Sequence, residues 1–203
     1  MYEGETIKYL TSYEKEALFH VIENDTSLHS TRNKAIFFLA EYCGLRASEV
    51  GKIRISDFNR QEKEIYVRRL KGSKNNTLRI LDAYVYDALL EYISLRKSNT
   101  ISSDLMFISQ KGNPISRKTL DDIMKKYCSL AGIPKDKSHF HVLKHTRTIT
   151  LAEMGLDTKE VQNWIGHKSV RNTEIYLQFT SRQQETLYQK YEFLKRSKGY
   201  FYE

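Results

Sequence analysis

Hydrophobic positions along the chain recur with two different periods. In "TSYEKEALFHVIEN" (11–24), Ala17, Leu18 and Val21 form an apolar stripe behind a Thr/Ser start and an early glutamate, which predicts an amphipathic helix. "TRNKAIFFLAEYCG" (31–44) is apolar on most sides and predicts a buried helix that stops at Gly44. "LRASEVGKIRISDF" (45–58) reads as a short helical turn running into an extended segment. Over 63–81, "KEIYVRRLKGSKNNTLRIL", β-branched and aromatic residues flank the turn-forming "KGSKNN", predicting two strands and a tight connection. Helical spacing returns in "AYVYDALLEYISLRKSN" (83–99), followed by the short apolar run "DLMFIS" and the turn "KGNP".

The second half is helical throughout. "SRKTLDDIMKKYCSLAGI" (116–133) has a serine cap and a stripe through Leu120, Ile123, Tyr127 and Leu130. From His141 onward the pattern predicts helices over 141–153, 158–165, 170–179 and 183–195, with Gly155 and Gly166 as breaks. There is no internal repeat. This order gives an α+β class: a mostly helical domain carrying one small antiparallel sheet. With 203 residues the chain is expected to form one domain over 1–203, with no room for a separate N-terminal domain.

Composition narrows the partners. A hydrophobic content of 40%, a charged content of 29% and only two prolines suit a packed globular chain rather than a disordered one. A net charge of +8 favours an anionic partner, nucleic acid above all. Cys43 and Cys128 lie far apart, which argues against a cysteine metal cluster and fits a reducing compartment. The start "MYEGETIKYL" lacks the apolar core of a secretion signal, and no apolar stretch approaches membrane-spanning length. A cytoplasmic, nucleoid-associated location is the expectation.

Several polar residues stand where such a core does not need them. They are Arg46 in "GLRASEV", Lys71 in the hairpin connection, His141 and Lys144 three apart on one helix, His167 after Gly166, and Tyr176 in "NTEIYLQF". Each has a plain reading alone: Arg46 pairing with Glu49, Lys71 solvated, His167 capping a helix, Tyr176 in the core. His141 and His145 also stand at i, i+4, a spacing that can seat zinc. Val142, however, occupies the place where a metalloprotease needs glutamate, so His145 reads better as a supporting or core histidine.

Taken in order, the set resembles the catalytic domain of the tyrosine recombinases, the phage integrase family. "GLRASEVGKIRISDF" matches the segment of the first catalytic arginine, at Arg46; the hairpin lysine matches Lys71. "HVLKHT" matches the box of His141, and "WIGHKSVRNTEIYLQF" matches the last box and nucleophile, His167 and Tyr176. The small size and "IYVRRLK…SQKGNPISR" look most like the single-domain fimbrial phase-switch invertases. One position departs: the family has arginine three residues after its histidine, and this chain has Lys144. An ammonium keeps the charge and loses the planar fork that can grip two phosphate oxygens. Arg147, one further step of three along the helix, is a candidate to lend a guanidinium.

The resemblance implies a recombinase that cleaves and rejoins DNA through a 3′-phosphotyrosyl intermediate. Tyr176 would attack the phosphate, Arg46 and Lys144 would hold its non-bridging oxygens, and Lys71 would protonate the leaving oxygen. His141 would assist proton transfer from Tyr176, and His167 would donate to the phosphate. No cofactor or metal is implied. The expected partner is double-stranded DNA, touched through Arg68, Arg69 and Lys74 on the hairpin and Ser116, Arg117 and Lys118 at the helix start. A homo-tetramer on DNA is expected, with the tail 183–203 exchanged between protomers, and accessory DNA-bending or directionality proteins are candidate partners. The alternatives are a DNA-binding regulator on the same fold, attenuated through Lys144, and a type IB topoisomerase-like enzyme.

Overall fold

The computed structural model of the chain describes residues 7–70, 72–97, 103–177 and 181–197. Thr11 opens α1 (Ser12–Glu23) with a reciprocal cap: its hydroxyl accepts from the Glu14 amide, and Glu14 accepts from the Thr11 amide. The helix turns Leu18 and Ile22 inward. α2 (Ser30–Cys43) is the axis of the core, with ten of its fourteen residues buried. Phe37 on α2 meets Tyr127 and Phe140 edge-on, with ring centroids 5.4 and 5.3 Å away.

Gly44 ends α2 in the left-handed conformation, at φ 60°. A Cβ there would stand 2.4 Å from Ile165 Cδ1, so the position needs glycine on two counts, conformation and space. The chain leaves it into α3 (Ala47–Val50), a single turn.

The sheet has three antiparallel strands in the order β1-β2-β3: β1 (Phe58–Asn59), β2 (Glu64–Val67) and β3 (Asn76–Arg79). Ile65 pairs with Leu78, and both turn inward together with Val67. The two-residue β1 is an addition to the two strands that the pattern predicts. α4 (Ala83–Lys97) packs along α2, and the apolar run near 105–108 crosses beneath as Met106, Phe107 and Ile108, all buried.

α5 (Arg117–Leu130) starts on the Ser116 cap. Its buried stripe is Leu120, Met124, Tyr127 and Cys128, while Leu130 is 64% exposed, contrary to the predicted stripe. At about 100° per residue, position 130 has turned roughly a quarter-circle away from that face. α6 (His141–Glu153) and α7 (Thr158–Ile165) have the limits expected from the sequence. α8 (Arg171–Leu177) and α9 (Ser181–Ser197) follow. Among the described residues, no helix is long and apolar enough to cross a membrane.

Candidate active site

The site forms where α2 ends, where the hairpin connection returns, and where α6, α7 and α8 meet. Its organising residue is Glu49, whose carboxylate is fully buried. One oxygen accepts from the Arg46 amide at 2.9 Å and from Arg69 Nη1 at 3.4 Å; the other accepts from Arg46 Nη1 at 3.0 Å and the Leu70 amide at 3.2 Å. Burial opposes this charge, but Lys144, the Arg46 amide and Arg69 together hold the carboxyl below its ordinary value. The signal in the sequence was the three-residue spacing in "RASE", a helix-start arrangement in which glutamate reaches back to the amide three residues before it.

Arg46 spends one hydrogen bond on Glu49 and donates another to Ser73 Oγ at 3.0 Å, which ties the hairpin to the start of α3. The same connection docks on the break after α7. Ser73 and His167 form an isolated antiparallel bridge, and the Lys74 amide donates to the Gly166 carbonyl at 2.8 Å. Lys71 itself lies outside the described residues.

Lys144 is 1% exposed, and Nζ donates to the Ile165 carbonyl at 3.1 Å. Burial, then Arg46 and Arg69, push its pKa down to about 6, against the pull of Glu49. Arg147 does not stand behind it. That guanidinium packs against the rings of both Tyr42 and Trp164, 4.8 and 4.9 Å from their centroids, as a cation–π brace on the core side of the helix.

The histidines are arranged otherwise than the sequence suggests. His145, read as a supporting residue, has Nδ1 2.5 Å from the Tyr176 hydroxyl. His141, expected to handle the tyrosine's proton, stands one ring further out, edge-on to His145 at 4.3 Å. The physical reason is helical pitch: His145 lies one turn along α6 from His141, at the level where α8 crosses. The visible signal was the i, i+4 histidine pair itself. His167 is 5% exposed, with Nδ1 on Thr173 Oγ1 at 3.0 Å and its ring stacked 6.4 Å from that of Tyr176.

The electrostatics follow from burial beside cations. Desolvation, then Lys144 and Arg46, push His141 down to about 4. Desolvation and the charges of His141, Lys144 and Arg46 push His145 down to about 3. His167 also falls to about 3, through burial and then Lys144, Arg46, Arg69 and His145. Burial raises the Tyr176 phenol to about 12, with Arg46 pulling the other way. The free protein therefore holds neutral imidazoles and a neutral phenol beside two guanidiniums, Arg46 and Arg69, that share the single carboxylate of Glu49. An open cleft of about 670 Å³ leads to it, lined by Arg46, Leu70, Arg117, His141 and His145 among others. Among the described residues, no group of three or more His, Cys, Asp or Glu side chains is placed to hold a metal ion.

The DNA-facing candidates divide. Lys74, Arg117 and Lys118 are exposed, and Arg117 lies at the rim of the cleft. Ser116 is exposed, but its oxygen caps α5 by accepting from the Thr119 amide at 3.0 Å. Arg68 is half-buried, paired with Asp57 and stacked on Tyr66. Arg69 is a correction. Its side chain is wholly buried, and its guanidinium donates to the carbonyls of Gly44, Cys43 and Trp164 as well as to Glu49. Along β2 alternate residues face inward, and Arg69 continues the inward series of Ile65 and Val67.

Comparison with known proteins bears on the whole arrangement. Residues 8–183 match the phage integrase family. The type 1 fimbriae regulatory protein FimB of Escherichia coli K12 is 36% identical over 169 residues, covering 83% of this chain and 82% of FimB. The tyrosine recombinase XerC of Listeria welshimeri is 30% identical over 188 residues, 91% of this chain and 62% of XerC. Among solved structures, the XerA recombinase superposes with a TM-score of 0.78 at 29% identity, over 94% of this chain and 66% of XerA. XerH bound to a palindromic difH substrate shares the fold at a TM-score of 0.80 and 23% identity, over 93% of this chain and 54% of XerH. With the family match running through nearly every element of the site, the chain belongs to the phage integrase family, the tyrosine recombinases.

Proposed function

We propose that the chain breaks and rejoins double-stranded DNA at specific sites, with the Tyr176 hydroxyl as nucleophile and a 3′-phosphotyrosyl ester as intermediate. The observation that carries this reading is convergence. Arg46, Lys144, His145, His167 and Tyr176 come from α6, α8 and two connections, and they bring neutral imidazoles and the Arg46 charge to one phenol and leave the anion to be supplied. A phosphodiester fits that deficit. Its non-bridging oxygens would lie on Arg46 and Lys144, and the negative charge would restore the ammonium of Lys144 that burial disfavours. His167, with Nδ1 engaged by Thr173, would offer Nε2 to the same oxygens, and His141 would face them from the cleft wall.

Lys71 is proposed as the acid that protonates the 5′ oxygen as it leaves. The ester preserves the energy of the broken bond, so the 5′ hydroxyl of a partner strand can reverse the step without an added cofactor. Lys74, Arg117 and Lys118 would position the duplex through its phosphates. Tyr188, Tyr191 and Phe193 leave apolar surface exposed on α9, which supports exchange of the 183–203 tail between protomers of a tetramer on nucleoid DNA.

The test uses nicked duplexes that lose a short strand after cleavage and so trap the ester. Covalent protein–DNA adduct is expected with the wild-type chain and none with Tyr176→Phe. No adduct from the wild-type chain on any candidate duplex, including one selected from a random pool, refutes the reading. Binding without adduct supports the regulator, and relaxation of supercoils without exchange supports the topoisomerase.

A further inference from the structure

We infer that His145, through Nδ1, is the proton acceptor for the Tyr176 hydroxyl during strand cleavage and the proton donor to the same oxygen during rejoining. This deepens the recombinase reading and rests on it. The geometry is specific. The phenol is 4% exposed, so its hydroxyl proton has few partners, and the His145 ring nitrogen stands at 2.5 Å. His145 is also one of the residues lining the cleft, so the acceptor touches both the nucleophile and the space where a phosphate would enter. His141 braces the imidazole edge-on at 4.3 Å.

The resting pair favours a phenol that donates to a neutral imidazole. Tyr176 is pushed up to about 12 and His145 down to about 3, so neither carries charge at neutral pH. The groups that depress His145 are, beyond burial itself, His141 and Lys144 on its own helix and Arg46 across the cleft. A phosphate seated against Arg46 offsets the charge of that guanidinium, one of the groups that depress the imidazole, and so favours proton transfer to it.

The step balances. The O–H bond of Tyr176 breaks, its proton moves to His145 Nδ1, and the phenolic oxygen bonds to phosphorus as the bond to the 5′ oxygen breaks. That oxygen takes its proton from the separate acid proposed at Lys71. Rejoining runs both transfers backward, so the protein ends with the protons it began with.

The decisive experiment is single-turnover cleavage of a nicked duplex that the wild-type chain itself selects from a random-sequence pool. His145→Phe and His145→Asn are expected to slow cleavage by about 10²–10⁴-fold, the range for losing a general base. Replacing the 5′ bridging oxygen by sulfur makes a leaving group that needs no proton. That substitution should rescue Lys71→Ala and leave both His145 variants slow. Gel shift and thermal melting report whether the variants still fold and bind, and asparagine serves if phenylalanine is not accommodated.

In parallel, nitrogen NMR of the free wild-type protein should show His145 protonated on Nε2 with Nδ1 bare, a signature that changes in Tyr176→Phe. Sulfur rescue of His145→Asn, a rate within threefold of wild type, or a proton resident on Nδ1 overturns the inference. Failure of the wild-type chain to cleave any duplex refutes the recombinase reading instead, and is told apart by occurring before any variant is made.

Discussion

The replacement Glu49→Gln tests the physical core of this site most directly. The carboxylate is fully buried and accepts four hydrogen bonds, two of them from guanidinium groups. Glutamine keeps the shape but removes the charge and turns one oxygen into a donor that faces other donors. Arg46 and Arg69 then lose their common counter-ion, and Lys144 loses the one charge that supports its protonation. Stripping one partner from a buried ion cluster costs about 3–5 kcal/mol. For a chain of this size that corresponds to a melting temperature lower by roughly 6–20 °C. Urea denaturation should show the midpoint falling with little change in slope, since the folded surface is unchanged.

The same substitution carries a pH signature. The Glu49 carboxyl is held below its unfolded value of 4.5, so the folded state binds fewer protons there. Its contribution is therefore complete above that value and fades as pH falls through the lower folded value. The stability gap between wild type and Glu49→Gln should be constant above about pH 7, where Lys144 is neutral in both proteins, and should narrow below about pH 4 as the carboxyl itself protonates. A gap under about 1 kcal/mol at pH 7, or one that persists undiminished below about pH 3, refutes the assignment of Glu49 as the anchoring charge.

Gly44→Ala should cost about 1–2 kcal/mol for the left-handed backbone and a further 1–3 for pushing Ile165 aside, read by urea midpoint; a loss under 1 kcal/mol contradicts the packing. Lys144→Arg must fit a longer side chain into a filled seat beside Gly44 and Ile165, so stability should drop by about 1–3 kcal/mol with cleavage unchanged or slower. A large gain in cleavage would show instead that the native lysine attenuates the enzyme. Arg147→Lys should lose about 1 kcal/mol of stacking against Tyr42 and Trp164 and leave adduct formation within threefold. A collapse of cleavage in a folded Arg147→Lys protein would mean that its guanidinium reaches the phosphate.

What the sequence made legible was set by period and order. α6 and α7 have boundaries fixed by strong local signals: a run of apolar residues at helical spacing, the Asp157 cap and the Gly166 stop. β1 escaped notice because two residues show no period; it exists because the chain folds back beside β2. In the candidate site, the identities of Arg46, His167 and Tyr176 came from ordered resemblance, yet their surroundings did not. Arg69 looks like any hairpin cation in one dimension. Only the alternation of β2, carried past its end, places it inside, where the carbonyls at the end of α2 receive it.

Arg147 and His145 stand otherwise than their spacing suggests, for the same reason. Spacing along α6 says which residues share a face, but which of them meets Tyr176 depends on where α8 crosses, a distance of thirty-one residues in the chain. The partners differ from residue to residue: Arg147 packs against two aromatic rings, Lys144 on a carbonyl, and His145 on the phenol. The departure at Lys144 then takes on a different meaning. A lysine can lose its proton in a buried, cation-crowded seat where an arginine cannot. The free site thus sheds one positive charge and holds Glu49, Arg46 and Arg69 closer to balance. On the recombinase reading proposed above, the cost of assembling cations beside Tyr176 would be deferred until a phosphate arrives to meet them.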